Sequence, residues 1–243
     1  MALDAAVTIK KIFFTGLFGK KIKGQKILRL LSKNPAEIYE ITDHILYRLA
    51  DTEAPQGIIA EISYAPLTLE RLYFDNQPLL VVIDGVQDPG NAGAIIRTSD
   101  AAGADAVIFL AGSCNPFNSK TIRATAGSIF NLPIIHSEST ELLKWLRQKK
   151  IRLAVTSINA EKTVFTSELE ESIALVFGNE AHGVSERLKS NADLLLNIPI
   201  YGKAESLNVA VSAAICLYEC VRQRKFREIN YAFRIKSGGS QNL

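Results

Sequence analysis

The spacing of apolar and polar positions changes character near Leu79. From there, short and nearly continuous apolar runs alternate with stretches of helical period. The runs predict strands at Leu79 to Ile83, Ala106 to Phe109, Asn131 to Ile135, Arg152 to Thr156, Ile173 to Phe177 and Leu194 to Ile198. Between and after them, helices are predicted at Gly93 to Ala102, Ser119 to Ala126, Thr140 to Lys149, Ser185 to Ser190 and Leu207 to Arg224. Several runs lack polar alternation, which means burial on both faces. That is the signature of a parallel sheet covered by helices, an α/β domain. In the last helix Leu207, Val211, Ala214, Ile215 and Tyr218 recur at three and four, so it is buried on most sides, with Ser206 at the N-cap position.

Before this domain the pattern is shorter. Strands are predicted at Lys10 to Phe14, Ala36 to Ile41 and Ile58 to Tyr64, and helices at Gly24 to Leu31 and at Thr42 to Ala50, capped by Thr42. The segment DTEAPQG, Asp51 to Gly57, breaks the pattern. Residues 1–72 therefore read as a small α/β unit and residues 73–243 as the main domain. A unit of that size is marginal on its own core.

Composition narrows the setting. With 47% apolar residues in 243, the chain can bury a full core, yet no run of eighteen uncharged apolar residues exists and the opening MALDAAVTIKK is no secretory signal. The expectation is a cytoplasmic protein without a membrane partner. Three cysteines, Cys114, Cys216 and Cys220, suit a reducing compartment, and the scattered histidines His44, His136 and His182 give no metal set. The net charge of +3 hides an asymmetry: residues 1–36 carry eight Lys or Arg against one Asp, and the tail from Glu219 carries six against two acids. Both basic ends suit a polyphosphate partner, with Phe13, Phe14, Phe18 and Phe226 available to stack on bases; solvated faces are the alternative.

In open α/β sheets, ligands bind beyond the carboxyl ends of strands. Three loops there are unusual. The first, residues 84–103, holds Asp84, Gly85, Asp88, Gly90, Asn91 and Gly93, with Asn91 at a helix-cap position and Arg97 further along the helix. Its glycines match neither the dinucleotide fingerprint nor the phosphate loop, which excludes a nucleotide-binding dehydrogenase of that type. An Arg among apolar neighbours is more often an ion-pair partner or phosphate clamp than a proton carrier. The second loop, GNEAHGVSERL at 178–188, places Glu180 and His182 between Gly178 and Gly183. The third, at 198–208, leads into the last helix through Ser206, Leu207 and Asn208.

Together the three loops resemble the SpoU (TrmH) branch of the SPOUT RNA methyltransferases. The first carries N-x-G-x-x-x-R at Asn91, Gly93 and Arg97; the second F-G-N-E-x-x-G from Phe177 to Gly183; the third I-P followed by S-L-N-V at Ile198, Pro199 and Ser206 to Val209. The likeness covers residues 79 to about 224, and the segment DTEAPQGIIAEI is similar to the join between that family's two domains.

The resemblance implies a SPOUT-type parallel sheet whose last strand and helix pass through an earlier loop as a trefoil knot. It implies a preceding L30e-like RNA-binding domain, shortened here at its amino end. The cofactor implied is S-adenosyl-L-methionine, held by main-chain groups of Gly178, Ile198 and Leu207, with Thr156 lining the pocket. The reaction implied is methyl transfer to a ribose 2′-hydroxyl of RNA. In it the family casts Arg97 as base or phosphate anchor, and the chemistry of a guanidinium favours a clamp on the phosphate and developing oxyanion, while Asn91, Glu180, Ser206 and Asn208 orient ribose, loop and cofactor. Because a guanidinium is not deprotonated in proteins, the proton must leave through a neighbour or water. The family further implies a homodimer packed through the knotted region. Ribosomal RNA is expected ahead of tRNA, because the small domain is similar to that of rRNA enzymes. The competing reading is a silent RNA-binding or ribosome-assembly factor of the same fold.

Overall fold

The computed structural model describes residues 7–33 and 35–237, with the side chains of the last helix as far as Lys225. The opening residues, and the side chains of Phe226, Arg227, Arg234 and Lys236 that contribute to the basic ends, lie outside the described residues. The chain divides into two compact units, Met1–Ala65 and Pro66–Leu243.

The first unit is built on β1 (Thr8–Thr15), followed by α1 (Gly16–Lys20), α2 (Ile22–Leu31), β2 (Glu37–Ile41), α3 (Asp43–Leu49) and β3 (Ile58–Ser63). The central strand β1 pairs parallel with β2 and antiparallel with β3. Ile9 and Ile12 from β1 meet Leu31 of α2, and Ile27, Ile58 and Ile62 close a small core around them. The helix α1 is too short to show a period and is set by its cap: Thr15 Oγ1 accepts from the backbone N–H of Phe18. Thr42 caps α3 in the same way, through Ile45 N–H. Two of the aromatic residues offered for base stacking are engaged otherwise. Phe18 is buried, with Gly24 against its carbonyl and Gly57, at φ +93°, against its ring. Phe13 stacks on Tyr39 at 5.5 Å.

The second unit runs β4 (Leu79–Asp84), α4 (Pro89–Ala101), β5 (Ala106–Leu110), α5 (Ser119–Ala124), β6 (Ile134–Ser137), α6 (Ser139–Lys149), β7 (Arg152–Thr156), β8 (Ile173–Gly178), α7 (Glu186–Lys189), β9 (Leu194–Leu196) and α8 (Val209–Ser237). All six strands are parallel, in the order β6-β5-β4-β8-β7-β9. Alternate residues of β4 show why its sequence is continuously apolar. Leu79, Val81 and Ile83 pack towards Ile95 and Ile96 of α4 and Ala213, Cys216, Leu217 and Cys220 of α8. Leu80 and Val82 pack the opposite way, towards Leu142, Trp145 and Leu146 of α6. Each such fully buried Leu, Ile or Val contributes roughly 1.5–3 kcal/mol of apolar transfer.

Boundaries shift where local chemistry outweighs period. Leu69 and Leu72 are buried with the α6 face, so residues 66–72 belong to the second unit and not the first. The third strand begins at Ile134 because Ser128–Phe130 forms a 3-10 turn and Pro133 cannot donate to a ladder. The helix α4 starts four residues before the expected Gly93. Asp88, not Asn91, is its N-cap, accepting from Asn91 N–H at 2.8 Å, and Pro89 occupies the first turn. At α8 the cap is Asn208 and not Ser206: Asn208 Oδ1 accepts from Ala210 N–H at 2.9 Å and Val211 N–H at 3.3 Å.

Candidate active site

Three loops leave the carboxyl ends of β4, β8 and β9 and meet at one place. The β4 loop is shaped by Gly85, whose φ of +78° suits glycine. It delivers Gln87 and Asp88, and then Asn91 in the first turn of α4. The β8 loop can turn back on itself only because Gly178 has no side chain: a Cβ there would stand 2.2 Å from Gly183 C and Val184 N. Asn179 and Gly183 then exchange both backbone hydrogen bonds, at 3.0 and 2.9 Å, with Gly183 at φ +70°. Ser185 N–H also donates to Asp84 Oδ2 at 2.7 Å, tying the two loops together.

Glu180 projects from that turn. Its carboxylate accepts from Gln87 N–H at 3.3 Å, Asp88 N–H at 3.4 Å and Asn91 Nδ2 at 2.9 Å. Asn91 Oδ1 in turn accepts from Asn208 Nδ2 at 2.9 Å. The direction of this chain is determined at both ends. Asn208 Oδ1 is occupied by helix N–H groups, so only its Nδ2 is free to donate, and a carboxylate can only accept. Partial burial pushes the Glu180 carboxyl up, but the donors from Asn91 and from the backbone of Glu180, Gln87 and Asp88 more than offset it, holding the group below the usual carboxylate range. Asp88 is likewise held low, first by the Asn91 N–H, with Lys120 Nζ at 3.5 Å.

Beside this chain lies an open cleft of about 740 Å³, in the size range of a site for a small cofactor. Glu180 and Asn208 line it together with Thr156, Gly178, Ile198, Ser206 and Leu207, so the expected cofactor residues converge on one cavity. Thr156, which lines the cleft, donates its Oγ1–H to Val176 O at 2.8 Å, so towards a ligand its hydroxyl can serve only as an acceptor. From Ile198 to Leu207 no backbone or side-chain hydrogen bond is made to the described residues. That wall therefore presents free N–H and C=O groups, including those of Ile198 and Leu207, beside the apolar surfaces of Phe177, Leu196 and Val209. Free main-chain donors and acceptors against apolar walls fit a zwitterionic nucleoside such as S-adenosylmethionine.

Arg97 is not drawn into this network. It is exposed on α4, does not line the cleft, and has no ion pair or side-chain hydrogen bond among the described residues. Ser206 lines the cleft without a partner among them. Sequence reasoning missed Asn179, whose amide joins two loops, and Asp88 as a cap. The signal for Asp88 was present, since Asp followed by Pro is a helix-start pattern. Among the described residues no group of three or more His, Cys, Asp or Glu could hold a metal ion, and no helix is long and apolar enough to cross a membrane.

Two family descriptions match the chain: the SpoU rRNA Methylase family over residues 78–218, and RNA 2′-O ribose methyltransferase substrate binding over residues 1–67. A similar curated protein is the 23S rRNA (guanosine(2553)-2′-O)-methyltransferase RlmP of Bacillus subtilis strain 168. It is 39% identical over 182 residues, 75% of this chain and 71% of the relative. The 23S rRNA (guanosine-2′-O-)-methyltransferase RlmB of Escherichia coli K12 is 34% identical over 72% of this chain and 74% of its own length. Among solved structures, the SpoU methyltransferase AviRb from Streptomyces viridochromogenes in complex with AdoMet superposes with a TM-score of 0.85. It is 28% identical over 92% of this chain and 86% of its own. With more than half the chain matched, and with Asn91, Glu180 and Asn208 joined at the cleft, the chain belongs to the SpoU rRNA methylase family.

Proposed function

We propose that this protein transfers a methyl group from S-adenosylmethionine to a ribose 2′-hydroxyl of ribosomal RNA, most plainly a guanosine of the large-subunit RNA as in the named relatives. The observation that carries this reading is the hydrogen-bonded union of Glu180, Asn91 and Asn208 at the rim of the cleft. Ile198 and Leu207 would hold the cofactor through main-chain groups, the Gly178 turn would let the backbone come close, and Thr156 would lie at the pocket's floor. When bound, the cofactor supplies a methyl group made electrophilic by its sulfonium.

The chain's own residues supply position. Asn91, held by Glu180 and Asn208, and Ser206, with its hydroxyl free, would orient the ribose. Arg97, uncommitted and exposed, would clamp the phosphate and the developing oxyanion bidentately. The 2′-proton would leave through water, since Glu180 is already satisfied as an acceptor and Arg97 stays protonated.

The first unit would dock RNA as an L30e-like domain. In support, Lys20, Lys21, Lys23, Lys26, Arg29 and Lys33 form no ion pair among the described residues and are free to meet phosphates. For a trefoil knot, the support is that segment 157–171 is bonded on both sides. Asn197 N–H donates to Lys162 O at 2.9 Å as β9 ends, and Gln223 of α8 donates to Ser167 O at 2.9 Å and accepts from Leu169 N–H at 2.8 Å. For a homodimer, the support is the apolar surface left open on α8, where Val211 and Tyr218 are 48% and 51% exposed, and just before its cap, where Leu207 is 36% exposed. A ribosomal substrate accords with a cytoplasmic protein.

Titration calorimetry with S-adenosylmethionine and S-adenosylhomocysteine tests the reading, followed by methyl transfer from labelled cofactor to 23S rRNA transcripts. Saturable binding and label at one ribose are expected. A chain that binds neither nucleoside would be a scaffold and not an enzyme.

A further inference from the structure

The turn that closes β8 carries a side chain to which the reaction as derived gives no part. Asn179 uses both ends of its amide. Oδ1 accepts from Ala181 N–H at 2.9 Å and His182 N–H at 3.0 Å, within the turn; Nδ2 donates to Gly85 O at 2.8 Å, across to the β4 loop. The Gly85 peptide is fixed from its other side as well, since its N–H donates to Ser113 Oγ at 2.9 Å, and that hydroxyl donates to Ile83 O at 3.0 Å. The cross-loop bond therefore lies between a rigid strand end and the residue immediately before Glu180.

Its leverage follows from chain position. Gln87 and Asp88, whose N–H groups bind the Glu180 carboxylate, come two and three residues after Gly85. Their bonds, at 3.3 and 3.4 Å, are at the long end of the useful range, so a small widening between the loops abolishes them. We propose that Asn179 is a positioning residue: its Nδ2–H bond to Gly85 O sets the separation at which Glu180 reaches Gln87, Asp88 and Asn91 together, and thereby holds Asn91 for Asn208. The bonds within the turn need only an acceptor, which a serine hydroxyl also supplies. The bond to Gly85 needs a donor on an arm of asparagine's length. The catalytic meaning of this placement rests on the function proposed above; the placement itself does not.

Two neutral substitutions separate the roles. Asn179→Ala removes every side-chain bond, while Asn179→Ser keeps an acceptor for the turn and loses the reach to Gly85. The other charged and titratable groups around Glu180, namely Asp88 with its partner Lys120, Cys114 and the neighbouring His182, are the same in both. The measurement is a 13C NMR titration of the Glu180 carboxyl in the full chain, together with steady-state methyl transfer. Both variants are expected to titrate Glu180 about one unit higher than the parent, because burial remains while backbone donors are lost. Both should lose kcat by roughly tenfold or more, with KM for S-adenosylmethionine within about threefold, as lost alignment predicts. If the Asn179→Ser protein titrates and turns over like the parent, the residue serves only the turn and the proposal falls. Should Asn179→Ala fail to fold, the serine variant decides alone. A parent that transfers no methyl group defeats the functional reading, and the NMR titration still decides the role of Asn179.

Discussion

Asn91 stands between Glu180 and Asn208, giving its amide hydrogen to one at 2.9 Å and its amide oxygen to the other at 2.9 Å. These residues are 89 and 117 positions away from it in the chain. Each belongs to a different strand-end loop, so the contact can form only when β4, β8 and α8 are all in place. The Asn91 side chain, which in the function proposed above would orient the ribose, is thus correctly held only in the fully folded molecule. Any change at one of the three positions should be felt at the other two, which sets the outcomes below.

Asn208 has two duties, capping α8 and holding Asn91. Asn208→Ala should cost about 1 kcal/mol of stability from the lost cap. Urea unfolding measures that term. Cofactor affinity, read by calorimetry, should fall as well, and full affinity in a destabilised variant would show that the cap is the residue's only role.

The Glu180 carboxyl is held low in the folded chain, so its hydrogen bonds add stability above the unfolded value and lose that contribution as pH falls through the folded one. The stability difference between parent and Glu180→Gln should be constant above about pH 5 and should narrow on acidification below it. Unfolding free energies across pH 3 to 7 give the answer; a difference that widens towards acid would contradict the assigned sign.

Arg97 is exposed and makes no hydrogen bond or ion pair among the described residues, so its replacement should leave the fold intact. Arg97→Lys keeps the charge and loses the planar fork, and methyl transfer should fall by about tenfold or more while cofactor binding persists. Near-parental turnover would argue against a bidentate clamp.

Gly178→Ala places a Cβ 2.2 Å from the backbone of Gly183 and Val184, which no side-chain rotation can relieve. Overpacking of this kind should destabilise by about 3 kcal/mol and open the β8 turn. A thermal melt within a degree of the parent would mean that the turn is far softer than its hydrogen bonds suggest.

Burial drives the Cys216 thiol far up and the Cys220 thiol up to about 12, with Cys114 raised more modestly by its partial burial. At neutral pH a thiol reagent should leave Cys216 and Cys220 unreacted in native protein and modify them on unfolding. Rapid native labelling of either, mapped by mass spectrometry, would place them outside the packed face of α8.

The sequence by itself determined a good deal. Continuous apolar runs at β4, β5, β7 and β8 could only be strands covered on both faces, so the parallel α/β class and its strand-end loops were legible. The motif residues followed from those loops, and Thr156, Gly178, Ile198, Ser206, Leu207, Glu180 and Asn208 do share one cleft. Local chemistry also set the Thr42 cap. Tertiary structure decided what period cannot encode. Whether Ser206 or Asn208 caps α8, and whether Asp88 or Asn91 caps α4, depends on which side chain is free once other loops arrive. Asn208 can cap with its oxygen because Asn91 Oδ1 accepts from its Nδ2, and Asn91 is free for that because Asp88 does the capping. The same holds for Asn179, whose amide donates to a carbonyl 94 residues away. A hydrogen bond between loops is a property of two distant backbones brought within 3 Å, and no spacing along one chain records it.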